Sequence, residues 1–388
     1  MSEESSNKKI DEFIAETLKL NGKEVSEREP WNTIVTADSI KHFAYGISDD
    51  NPLWLDVSYA GKTKHDRLCA PPSFLTSVSY PMLHGAAMNV PLSNLIGDLA
   101  YQWYCPIFEG DVFRASSKQI DVFESKDRHG RRAVYVLSET SYWNQKDRLV
   151  GKAAGTMVRV AIGEGETFAD RSTYQYNEDE LQEIRNSIQG EIRTGGNDLF
   201  GNEIEIGHKL PSIVRGPLTV GDLVCWQAAI GPSYRAGSLG FIDGLNAPHT
   251  MVKNPKTGWD IKYSQQHEDF LLASQRGMPA PFDNGVMRFA WLSPMLTNWM
   301  GDNGFLRKLS VQVVAPNLYG DTTWYQGEII EKSEVEDGIS VRVKITGVNQ
   351  LGITTTTGIA EVLLPVRETP KQKIDPTKTD EVKATVEG

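Results

Sequence analysis

Hydrophobic and polar positions alternate in two widely separated parts of the chain, and a long apolar segment precedes each alternating part. The alternation runs through 133–137 and 150–161 in the N-terminal part, and through 341–345 and 354–364 in the C-terminal part. A period of two residues is typical of strands that are buried on one face. The pattern therefore predicts antiparallel strands at the end of each part.

The apolar segments that precede these strands predict central helices. They are Ser73 to His84 and Gly285 to Met300, and each contains a proline, Pro81 or Pro294, which should bend or end the helix. One buried helix followed by antiparallel strands describes an α+β unit in which a sheet wraps around a helix. Two such units would cover each other's open sheet edge, which a single unit leaves exposed.

A shorter helix is predicted near the start of each part. The two segments are 38–44 and 221–226, and Thr36 and Thr219 stand in front of them as candidate N-caps. The two parts therefore share one order of elements, which is a short helix, a long helix and then strands.

Matching residues accompany this shared order and indicate an internal repeat. The segment 105–111 matches 315–321 through its proline, glycine and aspartate at an offset of 210 residues, and 81–83 matches 294–296 at an offset of 213. Offsets that drift by a few residues are what loop insertions produce. Several matches in one order indicate that the chain contains two related domains.

The repeat suggests the domain boundaries. We interpret 1–165 as the N-terminal domain, 166–205 as a linker and 206–367 as the C-terminal domain. The linker is polar, and we expect a charged helix over 177–191 within a solvated spacer. The tail, 368–388, is polar and contains prolines, so it is predicted to be disordered.

Composition narrows the classes of function and partner. The formal net charge of −11 disfavours binding to nucleic acid, because a phosphate backbone repels an acidic chain. The three cysteines include no CxxC pair, which argues against a metal site or a disulfide framework and fits a reducing cytoplasm. Residues 1–13 have no apolar run after a basic region, so we expect no secretory signal. The sequence has no apolar run of 18 residues, so we expect no membrane partner.

A motif follows the first short helix. Residues 48–60 read SDDNPLWLDVSYA, and 70–74 read APPSF. This pattern resembles the signature of the MaoC-like R-specific enoyl-CoA hydratases, D-x-N-P-x-H-x-D, followed by Tyr-Ala and by A-H-G or A-P-P at the start of the central helix. The resemblance covers most of 30–366 and is closest to the subgroup whose N-terminal half is related to a fungal fatty-acid-synthase dehydratase domain. It implies a double hot-dog fold, with two antiparallel sheets each wrapped around a central helix.

The resemblance also implies an activity. In that family an aspartate and a histidine five residues later orient a water molecule, which adds across the double bond of a trans-2-enoyl-CoA or is removed in reverse. A backbone N–H at the start of the central helix polarises the thioester carbonyl. A paired acid and base suit this chemistry, because water must lose a proton while the α-carbon gains one. The reaction needs no metal and no cofactor.

The first half departs from the signature at two positions. Asp49, Asn51 and Pro52 fit the pattern, but Trp54 stands at the histidine position and cannot transfer a proton. Pro72 stands at the glycine position and has no N–H to donate. Asn51 and Trp54 are candidate substrate-binding residues, and Asp49 is a candidate catalytic residue.

The second half has the complementary departure. At the offset of 213, His267 occupies the histidine position and Gly285 the glycine position, preceded by Asn284 as a further candidate substrate-binding residue. The aspartate position falls on Lys262 when counted back from His267, and on Pro232 when counted forward from the short helix. Neither residue is a carboxylate, and the difference marks an insertion between about 233 and 262.

Three interpretations follow. In the first, the second half is active, and Asp260, Asp269 or Asp283 is the partner of His267. In the second, Asp49 and His267 meet across the interface of the two halves. In the third, neither site works, and the chain is a degenerate subunit that stabilises an active partner.

The sequence therefore predicts a hydratase or dehydratase of acyl-CoA thioesters, with a thioesterase as the rival enzyme class. The predicted ligand is an acyl-CoA, and the predicted assembly is a homodimer or a hetero-oligomer with another hot-dog chain. Fold analogy alone does not choose the acyl group.

Overall fold

The computed structural model describes residues 3–25, 30–127, 129–162, 166–231 and 235–367. The predicted disordered tail therefore lies outside the described residues. The α-helices in chain order are α1 (Glu3–Leu18), α2 (Ala37–Gly46), α3 (Pro52–Leu55), α4 (Val57–Ala60), α5 (Leu75–Val78), α6 (Glu178–Gln189), α7 (Val220–Ile230), α8 (Gly237–Asn246), α9 (Phe270–Gln275) and α10 (Gly285–Met300). Short 3-10 helices span Pro72–Phe74, Gly201–Glu203, Pro248–Thr250 and Tyr263–His267.

The strands of the described residues form three sheets. They are β1 (Cys69–Ala70), β2 (Ser93–Trp103), β3 (Ile107–Phe108), β4 (Arg114–Lys126), β5 (Arg132–Trp143), β6 (Leu149–Val160), β7 (Ile213–Arg215), β8 (Met251–Lys253), β9 (Asp260–Lys262), β10 (Phe305–Val313), β11 (Thr323–Val335), β12 (Gly338–Asn349) and β13 (Thr354–Leu364). Three of the four predicted alternating segments lie within β5, β12 and β13, and 150–161 extends one residue past the end of β6, so these strands are confirmed. Two small sheets pair β1 with β3 and β8 with β9.

The main sheet has nine strands in the order β4-β5-β6-β2-β10-β13-β12-β11-β7. Its first four strands come from the N-terminal half and the other five from the C-terminal half. The halves meet where β2 pairs antiparallel with β10, with Tyr101 opposite Leu309 and Leu99 opposite Val311. The two predicted sheets are thus joined into one, and the pairing covers the edge that each half alone would expose.

Equivalent helices also pack together across the interface. The capping threonines are confirmed, because Thr36 Oγ1 accepts from Ser39 N at 3.1 Å and Thr219 Oγ1 accepts from Asp222 N at 3.2 Å. Helix α2 lies against α7 so closely that a Cβ at Gly46 would stand 2.3 Å from Ala229 Cβ. A larger residue at position 46 would therefore push the two helices apart.

The predicted central helices have different outcomes. Helix α10 spans the predicted 285–300, and every residue after Gly285 in it is buried. The prediction for 73–84 is wrong, because the helical segment ends at Val78 and Ser79 is extended. The physical reason is Pro81, which lacks an N–H and disfavours helical backbone at the residue before it. Pro294 lies two turns inside α10, where the helix is already established.

The linker is more ordered than a solvated spacer. The predicted helix is confirmed as α6, and Asn177 caps it by accepting from Glu180 N at 2.9 Å. The rest of the linker is bonded to the C-terminal half. Arg171 forms an ion pair with the buried Asp321, and Tyr176 donates to Gly320 O at 2.8 Å. The spacer interpretation is therefore wrong, and the described part of the linker belongs to the packed structure.

Candidate active site

A cavity of about 330 Å³ lies between the two halves. The C-terminal half contributes His267, Asn284 and Gly285 to its lining, and the N-terminal half contributes apolar side chains that include Ile96 and Met157. Both halves also contribute side chains of the other character, such as Asn94 and Met278, so the cavity combines polar and apolar groups, as is usual for a small-molecule site.

His267 ends the 3-10 helix Tyr263–His267 and is buried. Its Nδ1 lies 2.8 Å from the carbonyl oxygen of Phe282, and its ring lies 4.5 Å from the Phe282 ring. A carbonyl oxygen only accepts hydrogen bonds, so Nδ1 must carry a proton and donate it. In the neutral ring Nε2 is then the acceptor, because one nitrogen is protonated and the other is not.

The electrostatic surroundings favour this neutral ring. Burial lowers the pKa of His267, and the positive charge of Arg276 lowers it further. The Phe282 carbonyl and the charge of Asp283 act in the opposite direction and oppose part of this decrease. The imidazole is therefore held as a base at neutral pH and not as an imidazolium.

The N-terminus of α10 reaches the same cavity. Asn284 caps the helix by accepting from Val286 N at 2.9 Å. Among the described residues the N–H of Gly285 has no acceptor, as is usual in the first turn of a helix. A Cβ at Gly285 would stand 2.8 Å from Ile96 Cβ, so glycine also allows the close approach of β2. The positive end of α10 can thus receive a negatively charged oxygen.

Asp283, one of the expected partners of His267, is already fully bonded. It forms a buried ion pair with Arg288, with Arg288 Nε to Oδ2 at 2.7 Å and Nη2 to Oδ1 at 2.6 Å. The backbone N and the side-chain Nδ2 of Asn317 also donate to its two oxygens at 3.2 Å. The pair fixes the start of α10, because Arg288 donates in addition to the carbonyls of Ala315 and Thr355 at 2.7 Å.

The structure does not bring the other candidate partners to His267. Asp269 caps α9 by accepting from Leu272 N at 3.0 Å, and Asp260 is exposed and pairs with Lys253. Lys262 forms an ion pair with Asp243. Position 232, where the repeat places the aspartate, lies outside the described residues.

Asp49 lies in a different environment. It is 3% exposed, and its two oxygens accept from Asn51 N at 3.1 Å and from Trp54 Nε1 at 2.9 Å. Burial raises the pKa of Asp49 to about 6, although these two hydrogen bonds and the charges of Arg193 and Arg215 lower it in part. Trp54 thus occupies the histidine position and also donates to the aspartate, so this oxygen of Asp49 is already bonded within the protein.

The space beside this pair is small. Asn51, Trp54 and Pro72 line a second cavity of about 50 Å³, which is too small for an acyl chain. Asn51 caps α3 by accepting from Leu53 N at 3.0 Å, and Pro72 O accepts from Trp103 Nε1 at 2.8 Å. Asn51 and Trp54 thus line a different cavity from His267, and the structure does not place Asp49 beside His267.

Sequence reasoning missed most of the lining of the larger cavity, including the polar residues Arg288 and Gln227. Arg288 had a visible signal, since it is the one charge in the otherwise uncharged segment 285–300 and follows Asp283 by five residues. Gln227 had none, because a single glutamine in a short apolar helix points to nothing by itself. Within the described ranges, no cluster of three or more His, Cys, Asp or Glu side chains could hold a metal ion, and no helix is long and apolar enough to cross a membrane.

Comparisons with known proteins agree with this architecture. A family model of the FAS1-like dehydratase domain region matches residues 21–153. A solved structure described as a MaoC-like dehydratase has a TM-score of 0.62 and 14% identity, over 90% of this chain and 99% of that one. A MaoC domain dehydratase from Chloroflexus aurantiacus gives a TM-score of 0.57 and 13% identity, over 90% and 96%.

A conserved hypothetical protein from Mycobacterium tuberculosis, described as having a double hot-dog fold, gives a TM-score of 0.53 and 12% identity, over 88% of this chain and 96% of that one. A search of curated protein sequences finds no match. The double hot-dog fold and the resemblance to the MaoC-like hydratases are thereby confirmed. The family model and two of these structures are described as dehydratases.

Proposed function

We propose that the chain is a hydro-lyase that adds water to a trans-2-enoyl-CoA, or removes it from a 3-hydroxyacyl-CoA, at the cavity around His267. The observation that carries the proposal is the buried His267, whose Nδ1 is fixed by the Phe282 carbonyl. Its Nε2 is left as an acceptor in a cavity that the N-terminus of α10 also lines. This combination supplies a base and an oxyanion donor in one place.

In the direction of hydration, Nε2 of His267 takes a proton from water as the oxygen attacks the β-carbon. The π electrons of the double bond move toward the thioester, and negative charge gathers on the carbonyl oxygen. The Gly285 N–H and the dipole of α10 stabilise this charge. The imidazolium then returns its proton to the α-carbon, which completes the addition without a cofactor.

Apolar side chains of the cavity give the acyl chain a place. Ile96, Met157 and Val158 of the N-terminal half line it together with His267 and Gly285. Contact with an acyl chain would bury apolar surface of both partners, which stabilises the complex by about 25 cal/mol per Å².

The test is hydration of a panel of trans-2-enoyl-CoA thioesters, followed by the loss of the conjugated absorbance. We expect turnover without added metal, and His267→Ala should lower it about 10²- to 10⁴-fold, the range for general acid–base catalysis. His42→Ala is the matched control, because His42 is exposed on α2. Near-normal turnover by His267→Ala would overturn the assignment.

Other outcomes of the same assay point to the rival functions. Release of free thiol with no hydrated product would indicate a thioesterase. Inactivity of the purified chain, with activity restored by a second hot-dog chain, would indicate the degenerate subunit. A homodimer or hetero-oligomer and a cytoplasmic location stay predictions, and light scattering of the purified protein would test the former.

A further inference from the structure

We infer that the side chain of Gln227 replaces the aspartate that the second half lacks, and that it binds the reacting water together with His267. The inference rests on the proposed hydratase reaction. It would make the catalytic pair a histidine and a neutral amide in place of a histidine and a carboxylate.

The first observation is the state of the Gln227 side chain. Gln227 lies on α7, is 8% exposed and lines the same cavity as His267. Its Oε1 is buried without a hydrogen-bond partner, and among the described residues its amide makes no hydrogen bond at all. Buried amides are normally bonded, so an unbonded amide at the wall of a cavity indicates a missing ligand or water.

The second observation is the register of the repeat. The two capping threonines, Thr36 and Thr219, differ by 183 positions, which places Gln227 opposite Ala44. In the first half the chain turns back after α2, so that Asp49 N donates to Ala44 O at 2.9 Å. The aspartate of the first half therefore lies beside the residue that corresponds to Gln227.

An amide can replace a carboxylate as a hydrogen-bond acceptor for water, but not as a proton acceptor. The amide oxygen can accept one hydrogen of a water molecule while His267 Nε2 accepts the other, and two acceptors fix the direction of the water lone pair. A side-chain amide does not accept a proton near neutral pH, so His267 must carry out both proton transfers. The water proton goes to Nε2 as the O–C bond forms, and the same proton goes to the α-carbon as the enolate electrons form the C–H bond.

The sharpest test is Gln227→Met, which keeps the volume and the flexible stem but removes the amide. We expect turnover to fall roughly 100-fold, the effect of a misplaced reactant, while KM changes little. The melting temperature should stay the same or rise, because an unbonded polar group has been removed from the interior. Gln182→Met on the exposed face of α6 is the matched control and should change neither value.

A second variant tests the geometry without relying on activity. If the two side chains bind one water, Gln227→Glu places a carboxylate near His267, and an opposite charge about 4–6 Å away raises the pKa of a histidine by about one unit or more. Proton–carbon NMR of the histidine Cε1 group measures this pKa, with His267→Ala used to assign the signal and Gln182→Glu as the control. The same variant should move the acidic limb of the pH profile of kcat/KM to higher pH, because protonation of His267 sets that limb.

The outcomes separate the two proposals. An unchanged pKa of His267 in Gln227→Glu, or normal turnover in Gln227→Met, would overturn the role of Gln227. A raised pKa in a protein that hydrates none of the thioesters would uphold the pairing of the two side chains and overturn the hydratase reaction.

Discussion

Replacing Asp49 by asparagine should change how the stability of the protein depends on pH. Burial raises the pKa of Asp49 from 3.8 to about 6 in the folded protein. The folded state therefore binds this proton more tightly than the unfolded state, and the free energy of unfolding falls as the pH rises between the two values. At about 1.4 kcal/mol per pKa unit, the loss is complete above pH 6 and amounts to ~3 kcal/mol.

The asparagine variant cannot ionise, so this loss should disappear. Its amide nitrogen faces either Asn51 N or Trp54 Nε1, both of which are donors. That mismatch costs about 1–3 kcal/mol, but the cost is the same at every pH. We propose urea unfolding at several pH values from 4 to 7.5. As the pH rises over this range, the free energy of unfolding of the variant should increase relative to that of the parent by up to ~3 kcal/mol. Two parallel profiles would refute the reasoning.

The same variant separates two interpretations of the site. Asp49 and its partner Trp54 lie away from the lining of the His267 cavity. We therefore expect Asp49→Asn to keep most of the turnover of the parent at a temperature where both are folded. A loss as large as that of His267→Ala would mean that the two residues act together.

The remaining predictions concern the larger cavity. Because burial lowers the pKa of His267, the base form should persist below pH 6.5, and the acidic limb of kcat/KM should lie below that value. Gly285→Ala places a Cβ 2.8 Å from Ile96 Cβ, so it should destabilise the protein by about 1–3 kcal/mol in urea unfolding and lower turnover as well. Asp283→Asn leaves the charge of Arg288 buried without its partner, and calorimetry should show a loss of about 3–5 kcal/mol. Unfolding curves that match those of the parent would contradict the predictions for Gly285→Ala and Asp283→Asn.

Much of the fold could be predicted because its signals are local. The strand alternation, the capping threonines Thr36 and Thr219 and the bounds of α10 all depend on residues within one element. The repeat then added long-range information, since matching prolines and glycines mark equivalent turns. This register is what singled out His267, whose own sequence neighbourhood is polar and gives no sign that the ring is buried.

The rest depends on contacts between distant segments. The bonds of Arg171 and Tyr176 to the C-terminal half follow from tertiary packing, which the polar composition of the linker does not reveal. The insertion near 233–262 also shifts the register where the aspartate is expected. Counting along the chain therefore reached Pro232 or Lys262 and missed Gln227, whose position depends on how α7 packs.

The two halves differ in ways that make each depend on the other. In the first half Trp54 takes the histidine position and donates a hydrogen bond to Asp49, and the cavity beside them is only about 50 Å³. The side chains at these positions of the first half therefore pack against each other and leave no room for a substrate. In the second half His267 and Gly285 remain, but the wall that faces them includes Ile96 of the first half. The selectivity for an acyl group would then be set by a half that has no catalytic pair. Substitutions on β2 and β6 should therefore change which thioester is accepted, while substitutions at His267 should change the rate for all of them.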